Sequence, residues 1–210
     1  MTKTNPIHNM LNAAKPENHP LVYLKKKFEY FLNAVHYYIW VAEVKHGDFV
    51  EKVVNTLLSP IPKHLFTKEY KKKCDDRLLK AQKTHDKFFY DKETGYHIAW
   101  AHHWFGFFYS GYSIFLSFVL LGIPDGIFGG VNPIIALVII ALPIGLCYIP
   151  AYRAVFSKDR YLKYFKKFEK EDEQWHKKWK WITIAFCIGS IAFAIGGIFA
   201  MWGVSLFFRG

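Results

Sequence analysis

Three stretches of this 210-residue chain carry no charged side chain, at 104–123, 131–149 and 181–208, or 20, 19 and 28 residues. An α-helix rises ~1.5 Å per residue and a bilayer's hydrocarbon core is ~30 Å thick, so about 20 apolar residues suffice to cross it. All three runs qualify, and the last is long enough to tilt or to project beyond the lipid. A soluble basic protein spreads its apolar residues along periodic faces, but here they are segregated. Of 28 Lys plus Arg, 17 precede His103, 10 lie between Ala151 and Lys180, and the last is Arg209. The expected fold class is therefore an all-α integral membrane protein with transmembrane helices at 104–123, 131–149 and 181–208.

Orientation follows from the links. The first, around Asp125, has no Lys or Arg, whereas the second carries ten. The positive-inside bias places the basic link and the N-terminus in the cytoplasm and the C-terminus on the opposite side. A cell membrane or a bacterial inner membrane is the expected location. The stretch MTKTNPIHNMLNAAKPENHP has no apolar core of the secretory type. Cys74 is then cytosolic, Cys147 and Cys187 fall in apolar runs, and no CxxC spacing occurs, which suits reduced structural thiols.

Residues 1–20 are polar and proline-containing, the composition of a flexible tail. Residues 21–103 are expected to form a cytoplasmic helical domain. Leu21, Leu24, Phe28, Phe31, Val35, Tyr38 and Ala42 alternate in steps of three and four, the stripe of a helix packed along another helix. Gly47 suits a left-handed helix end, and Asp48 with Glu51 suits a capping box that opens a second helix, so a helical hairpin is expected. That second helix breaks at Ser59-Pro60-Ile61-Pro62. Thr67 can cap a third, with a thin apolar stripe of Tyr70, Cys74, Leu78, Ala81, His85 and Phe88. Asp91–Gly95 reads as a turn in which Gly95 supplies a positive φ. The flanking residues 88–98 suit a short β-hairpin and a helix–turn–helix equally.

The link 151–180 reads as a basic amphipathic cytoplasmic helix. Tyr161, Phe165, Phe168, Asp172, Trp175 and Trp179 repeat the heptad spacing, with Asp172 as its one polar interruption. No Pro or Gly lies between Tyr152 and Trp181, so this juxtamembrane helix is expected to be long and continuous with the third span. Its aromatic stripe complements that of Leu21–Ala42.

The run YHIAWAHHWFGFFYSGY raises the question of a metal or haem site. One helix that supplies two metal ligands normally spaces them four apart. His102 and His103 stand five and six residues from His97, about 140° and 240° around a helix at ~100° per residue. The remaining histidines are scattered. Trp100 and Trp104 bracket the entry to the first apolar run, where indole rings settle at headgroup level. Interfacial anchoring accounts for the run, and no metal or cofactor is assigned.

Small residues line the spans. Gly106, Ser110, Ser113 and Ser117 form one stripe, and Ala185, Gly189, Ala192, Gly196, Ala200 and Gly203 another. Such spacing lets helix backbones approach, first of all within the protein's own three spans. Pro133, Pro143 and Gly145 are expected to kink the second span. No ionisable residue sits at depth, which argues against a pump or coupled transporter.

Lys158, Arg160, Lys163, Lys166, Lys167, Lys170, Lys177, Lys178 and Lys180 are the candidates for contact with anionic lipid headgroups or a partner. No helix-turn-helix, RRM or zinc pattern points to nucleic acid, and no nucleophile elbow, phosphate loop or paired-carboxylate motif points to catalysis. The expected function is that of a non-enzymatic accessory, scaffold or assembly subunit, working with a membrane protein partner or as a homo-oligomer. An oligomeric pore or membrane-perturbing effector is one alternative. A metal- or haem-dependent membrane enzyme centred on His97, His102 and His103 is another.

Overall fold

The computed structural model describes residues 20–58 and 83–209, apart from the side chains of Asn55 and Leu58. The expected tail, the break at Ser59–Pro62 and the Thr67-capped start of a third helix lie outside the described residues. Those described are helical, with no strand among them. They form α1 (Pro20–Leu58), α2 (83–90), α3 (Tyr96–Phe128), α4 (Pro133–Val155), a 3-10 turn (Ser157–Asp159), α5 (Arg160–Phe168) and α6 (Glu173–Arg209). α3, α4 and α6 hold the three apolar runs and are long and apolar enough to cross a membrane. Two compact units arise among the described residues, one from 20–37 together with 106–209, the other from 38–58 together with 83–105.

In the first unit, α3 meets α4 and α6 through two different faces. Toward α4 the register is antiparallel: a Cβ on Gly106 would lie 3.5 Å from the Tyr148 hydroxyl, and Ser117 is fully buried. Pro143 and Pro150 both lie within α4 without ending it. A proline leaves the carbonyl four residues earlier without its helical donor and disturbs the turn around it. Hydroxyls from α3 reach those turns. Ser117 Oγ donates to the Ile140 carbonyl at 3.0 Å and Tyr109 Oη to the Cys147 carbonyl at 3.2 Å, each three residues before a proline. Pro133 was expected to kink this helix. Instead it opens it, behind Asn132, whose side chain accepts from the Ile134 amide at 2.9 Å.

Toward α6 the register is parallel and the contact is glycine-rich. A Cβ at Gly111 would collide with the Ser190 hydroxyl, one at Gly122 would meet the Met201 carbonyl at 2.6 Å, and one at Gly126 the Ser205 carbonyl at 2.6 Å. From the other side, a Cβ at Gly197 would sit 3.0 Å from Phe115 Cα. Tyr112 Oη donates to the Phe186 carbonyl at 2.7 Å. The buried face of α6 is thus Thr183, Ser190, Gly197 and Ser205. This corrects the stripe expected there: Gly189 does touch Tyr112, but Gly196 and Gly203 meet nothing within 4 Å. One residue turns a helix by about 100°, so a stripe displaced by one position faces elsewhere. Asp125, expected in the link, belongs to the last turn of α3, accepts from Ser205 Oγ at 2.6 Å and pairs with Arg209 at 3.1 Å.

The same unit holds an aromatic cluster. Residues 32–37 of α1 are buried all round the helix, so the heptad stripe understates this contact. Tyr30 packs edge-on against Phe168 (5.3 Å) and Trp179 (5.5 Å), and Tyr37 against Phe165 (5.1 Å). Trp175 Nε1 donates to Tyr30 Oη at 2.7 Å. The Asn33 side chain, fully buried, donates to the Ala154 carbonyl at 3.0 Å and so ties α1 to the end of α4. Burial lifts the Tyr30 hydroxyl far above its ordinary pKa and keeps it a neutral hydrogen-bonding group.

The long helix expected across 151–180 and into the third span is broken twice. α4 runs on to Val155, and Lys158 and Asp159 take left-handed backbone angles before α5 begins. The chain leaves α5 at Phe168, and α6 starts only at Glu173. Asp172, the polar interruption in the heptad, is the reason: its Oδ1 accepts from the Trp175 amide at 2.7 Å, an N-cap bond. The break folds Phe168 back onto Trp175, with rings stacked at 4.9 Å.

The two registers of α6 are separable by substitution. Gly197→Leu should drive side-chain atoms into Phe115 and lower the unfolding midpoint of the detergent-solubilised protein by several degrees, as overpacking costs about 1–3 kcal/mol. Gly196→Leu should leave the midpoint unchanged or raise it. The reverse ranking would contradict the packing described.

Candidate functional site

The second unit contains a cleft of about 1120 Å³. One wall is the C-terminal half of α1, with Glu43, His46, Gly47, Val50, Glu51 and Val54. The other is α2 and the start of α3, with His85, Phe89, Tyr90, Tyr96, His97, Trp100 and Trp104.

Local sequence positions each side chain. α1 runs unbroken through Gly47, so the expected left-handed end, capping box and helical hairpin are all absent. A mid-helix glycine costs only about 1 kcal/mol, too little to end a helix that packs well. Gly47 is required because a Cβ there would collide with the His97 imidazole. Asp48 and Glu51, one turn apart, instead receive the Tyr90 hydroxyl, at 2.7 Å and 3.4 Å. The bond to Asp48 is the main reason the Tyr90 pKa is raised.

Between α2 and α3 the open choice resolves as a helix–turn–helix. Asp91 organises the turn: its carboxylate accepts from the Glu93 amide at 3.1 Å and the Thr94 hydroxyl at 2.8 Å. These bonds hold its pKa below the ordinary carboxylate value. Gly95 does not have the expected positive φ. It is small because any Cβ would strike the Asp91 carbonyl, whose oxygen already accepts the Gly95 amide at 2.9 Å.

His97, one turn on, is 5% exposed, and its Nδ1 is buried without a hydrogen-bond partner among the described residues. Its ring lies 5.2 Å from that of Tyr90 and 5.8 Å from that of Phe89. Tyr96, Trp100 and Trp104 continue as a ladder spaced at 6.0 and 6.3 Å. His103 lies exposed between Trp100 and Trp104. Among the described residues no three His, Cys, Asp or Glu side chains converge as a metal would need.

The basic residues divide into three groups. Lys163, Lys166, Lys167 and Lys170 share a groove of about 380 Å³ on α5 with Glu171, whose pKa burial raises. The opposite face of that helix, Tyr161, Phe165 and Phe168, is spent on the aromatic cluster. Arg160 is half-buried and bonds Glu29 at 3.1 Å. Lys158 is exposed in the left-handed turn, while Lys177, Lys178 and Lys180 are exposed on α6, with Lys177 paired to Glu173 at 2.9 Å. Sequence reasoning missed the cleft altogether. Glu43, Glu51, His46 and His97 are distant in the chain, and the one local signal, a glycine inside an otherwise sound helical pattern, was taken as a stop.

Gly47→Ala should destabilise the protein while His97 is present, and His97→Ala should reverse the sign, since alanine is otherwise the better helix former by about 1 kcal/mol. Thermal unfolding of the four proteins of this cycle measures the coupling. The Asp91 turn gives a pH dependence. Because its folded pKa lies below 3.8, its contribution is complete above that value and is lost as pH falls through the depressed one. Asp91→Asn should flatten the acid limb of the unfolding midpoint below about pH 4.

No family model, no curated protein and no solved structure matches this chain.

Proposed function

We propose that this chain is a three-span integral membrane protein that acts as an accessory, scaffold or assembly subunit. The observation that carries this reading is the outer face of α6. Among the described residues Gly196 and Gly203 meet nothing within 4 Å, and with Ala200 they form a small-residue stripe set off from the buried face of α6. Between lipid-facing helices there is little hydrophobic driving force, so close backbone approach at such stripes is what favours association. Large apolar side chains flank it in the open, with Phe199 64% and Leu206 67% exposed, as is Ile134 on α4 at 76%. Water does not tolerate so continuous an apolar surface, whereas lipid and a partner helix do.

Positive-inside bias places α5 and its lysine groove on the cytoplasmic side, with the Asp125–Arg209 pair at the opposite end of the spans. Near an anionic leaflet each exposed lysine adds ~1 kcal/mol of attraction, so Lys163, Lys166 and Lys170 hold this end against the surface. Their role is orientation, and the α6 stripe supplies the partner contact.

Purification in mild detergent followed by light scattering tests the reading. A complex larger than the monomer is expected, made of a second copy or another membrane protein. Gly196→Leu should dissociate it by tenfold or more without altering thermal stability, since it blocks approach at the stripe. A strictly solitary monomer, or a complex indifferent to Gly196→Leu, would contradict it.

A further inference from the structure

We propose that the cleft of the second unit binds an organic ammonium ion joined to an apolar body. The charge of its lining is the first argument. The chain carries 28 Lys plus Arg and a net charge of +11, yet among the described residues the cleft is lined by Glu43 and Glu51 and by no Lys or Arg. A cationic head entering this cleft leaves the repulsion of the general surface for two carboxylates.

The aromatic lining is the second. Tyr90, Tyr96, Trp100 and Trp104 line one wall, and a cation over the face of such a ring is attracted by its quadrupole. Carboxylates beside indole and phenol rings recognise alkylated ammonium groups, which hydrogen-bond weakly and are poorly held by carboxylates alone.

The third is the unsatisfied imidazole. A buried polar atom without a partner is costly unless something completes it, and His97 Nδ1 stands so in the wall of this cleft. A ligand whose head carries a hydroxyl or ester oxygen beside the nitrogen would meet that need once the ring tilts. The volume, about 1120 Å³, exceeds what an ammonium head alone fills and leaves room for an apolar body along Val50 and Val54.

The site does not depend on the α6 stripe or on any partner, so its test is independent of the assembly reading. Full-length protein in nanodiscs of phosphatidylglycerol is titrated calorimetrically with benzyltrimethylammonium, with choline, and with 3,3-dimethylbutanol, the neutral isostere of choline. Both cations should bind, the isostere should bind at least tenfold more weakly than choline, and benzenesulfonate should not bind. Glu43→Gln/Glu51→Gln should weaken benzyltrimethylammonium by tenfold or more. Trp100→Leu should weaken it severalfold. Where the double variant unfolds, the comparison of choline with its isostere on the unsubstituted protein decides. Repeating the titration in discs containing phosphatidylethanolamine identifies the source. Competition assigns a membrane lipid headgroup, and undiminished binding assigns a free amine. Failure of both cations to bind the unsubstituted protein, equal binding of the isostere, binding of benzenesulfonate, or full affinity in a folded double variant would overturn the proposal.

Discussion

The rest of the structure depends on how α3 fits the backbones of its two neighbours. Where water is excluded, each unpaired carbonyl costs several kcal/mol, and a helix with internal prolines brings such carbonyls with it. α4 has two, Pro143 and Pro150, and Ser117 and Tyr109 of α3 reach the turns those prolines disturb. Toward α6 the contact is closer. Gly111, Gly122 and Gly126 let the backbone of α6 come so close that hydroxyls and carbonyls lie where Cβ atoms would stand, and Tyr112 donates to the Phe186 carbonyl. One helix thus donates to both neighbours and yields the most space to α6.

A different logic holds α1 to α5 and α6. There the contacts are large rings, with polar bonds set among them: Trp175 to Tyr30, Arg160 to Glu29, and Asn33 to Ala154 at the end of α4. Edge-to-face pairs each add ~0.5–1.5 kcal/mol beyond area burial, and several share the same rings. This spends the apolar face of α5 internally and leaves its lysines as the exposed face. α5 is amphipathic, yet it has no apolar face left to insert into lipid, and any surface attraction it exerts is electrostatic.

What the sequence discloses depends on how local the cause is. The three apolar runs are legible because absence of charge over about 20 residues has one dominant physical meaning. The packing of Tyr30, Phe31 and Tyr37 on Phe165, Phe168 and Trp179 is only partly suggested by matching aromatic spacing, since Leu21, Leu24 and Phe28 of the expected stripe are exposed. The misreadings share a form: a residue with a common local use was given it, when a distant contact required that residue. Gly47 and Asp48 look like a helix end, but they accommodate His97 and Tyr90, about 50 and 42 positions away. Asp172 looks like a flaw in a heptad and is a cap. Gly122-Ile-Pro-Asp-Gly126 holds a small-xxx-small pair that was passed over, because its proline and aspartate suggest a link. The cleft was illegible for the same reason, since its two walls are joined only by the fold.

Membrane insertion with the lysine-rich helix inside is the central claim, and site-directed labelling of intact cells tests it most directly. In a background lacking Cys74, Cys147 and Cys187, single cysteines are placed at Phe128, 78% exposed at the end of α3, and at Lys163 on α5. A membrane-impermeant maleimide should modify Phe128→Cys in intact cells and Lys163→Cys only after permeabilisation. Labelling of Lys163→Cys from outside intact cells, with Phe128→Cys protected until lysis, would contradict the account.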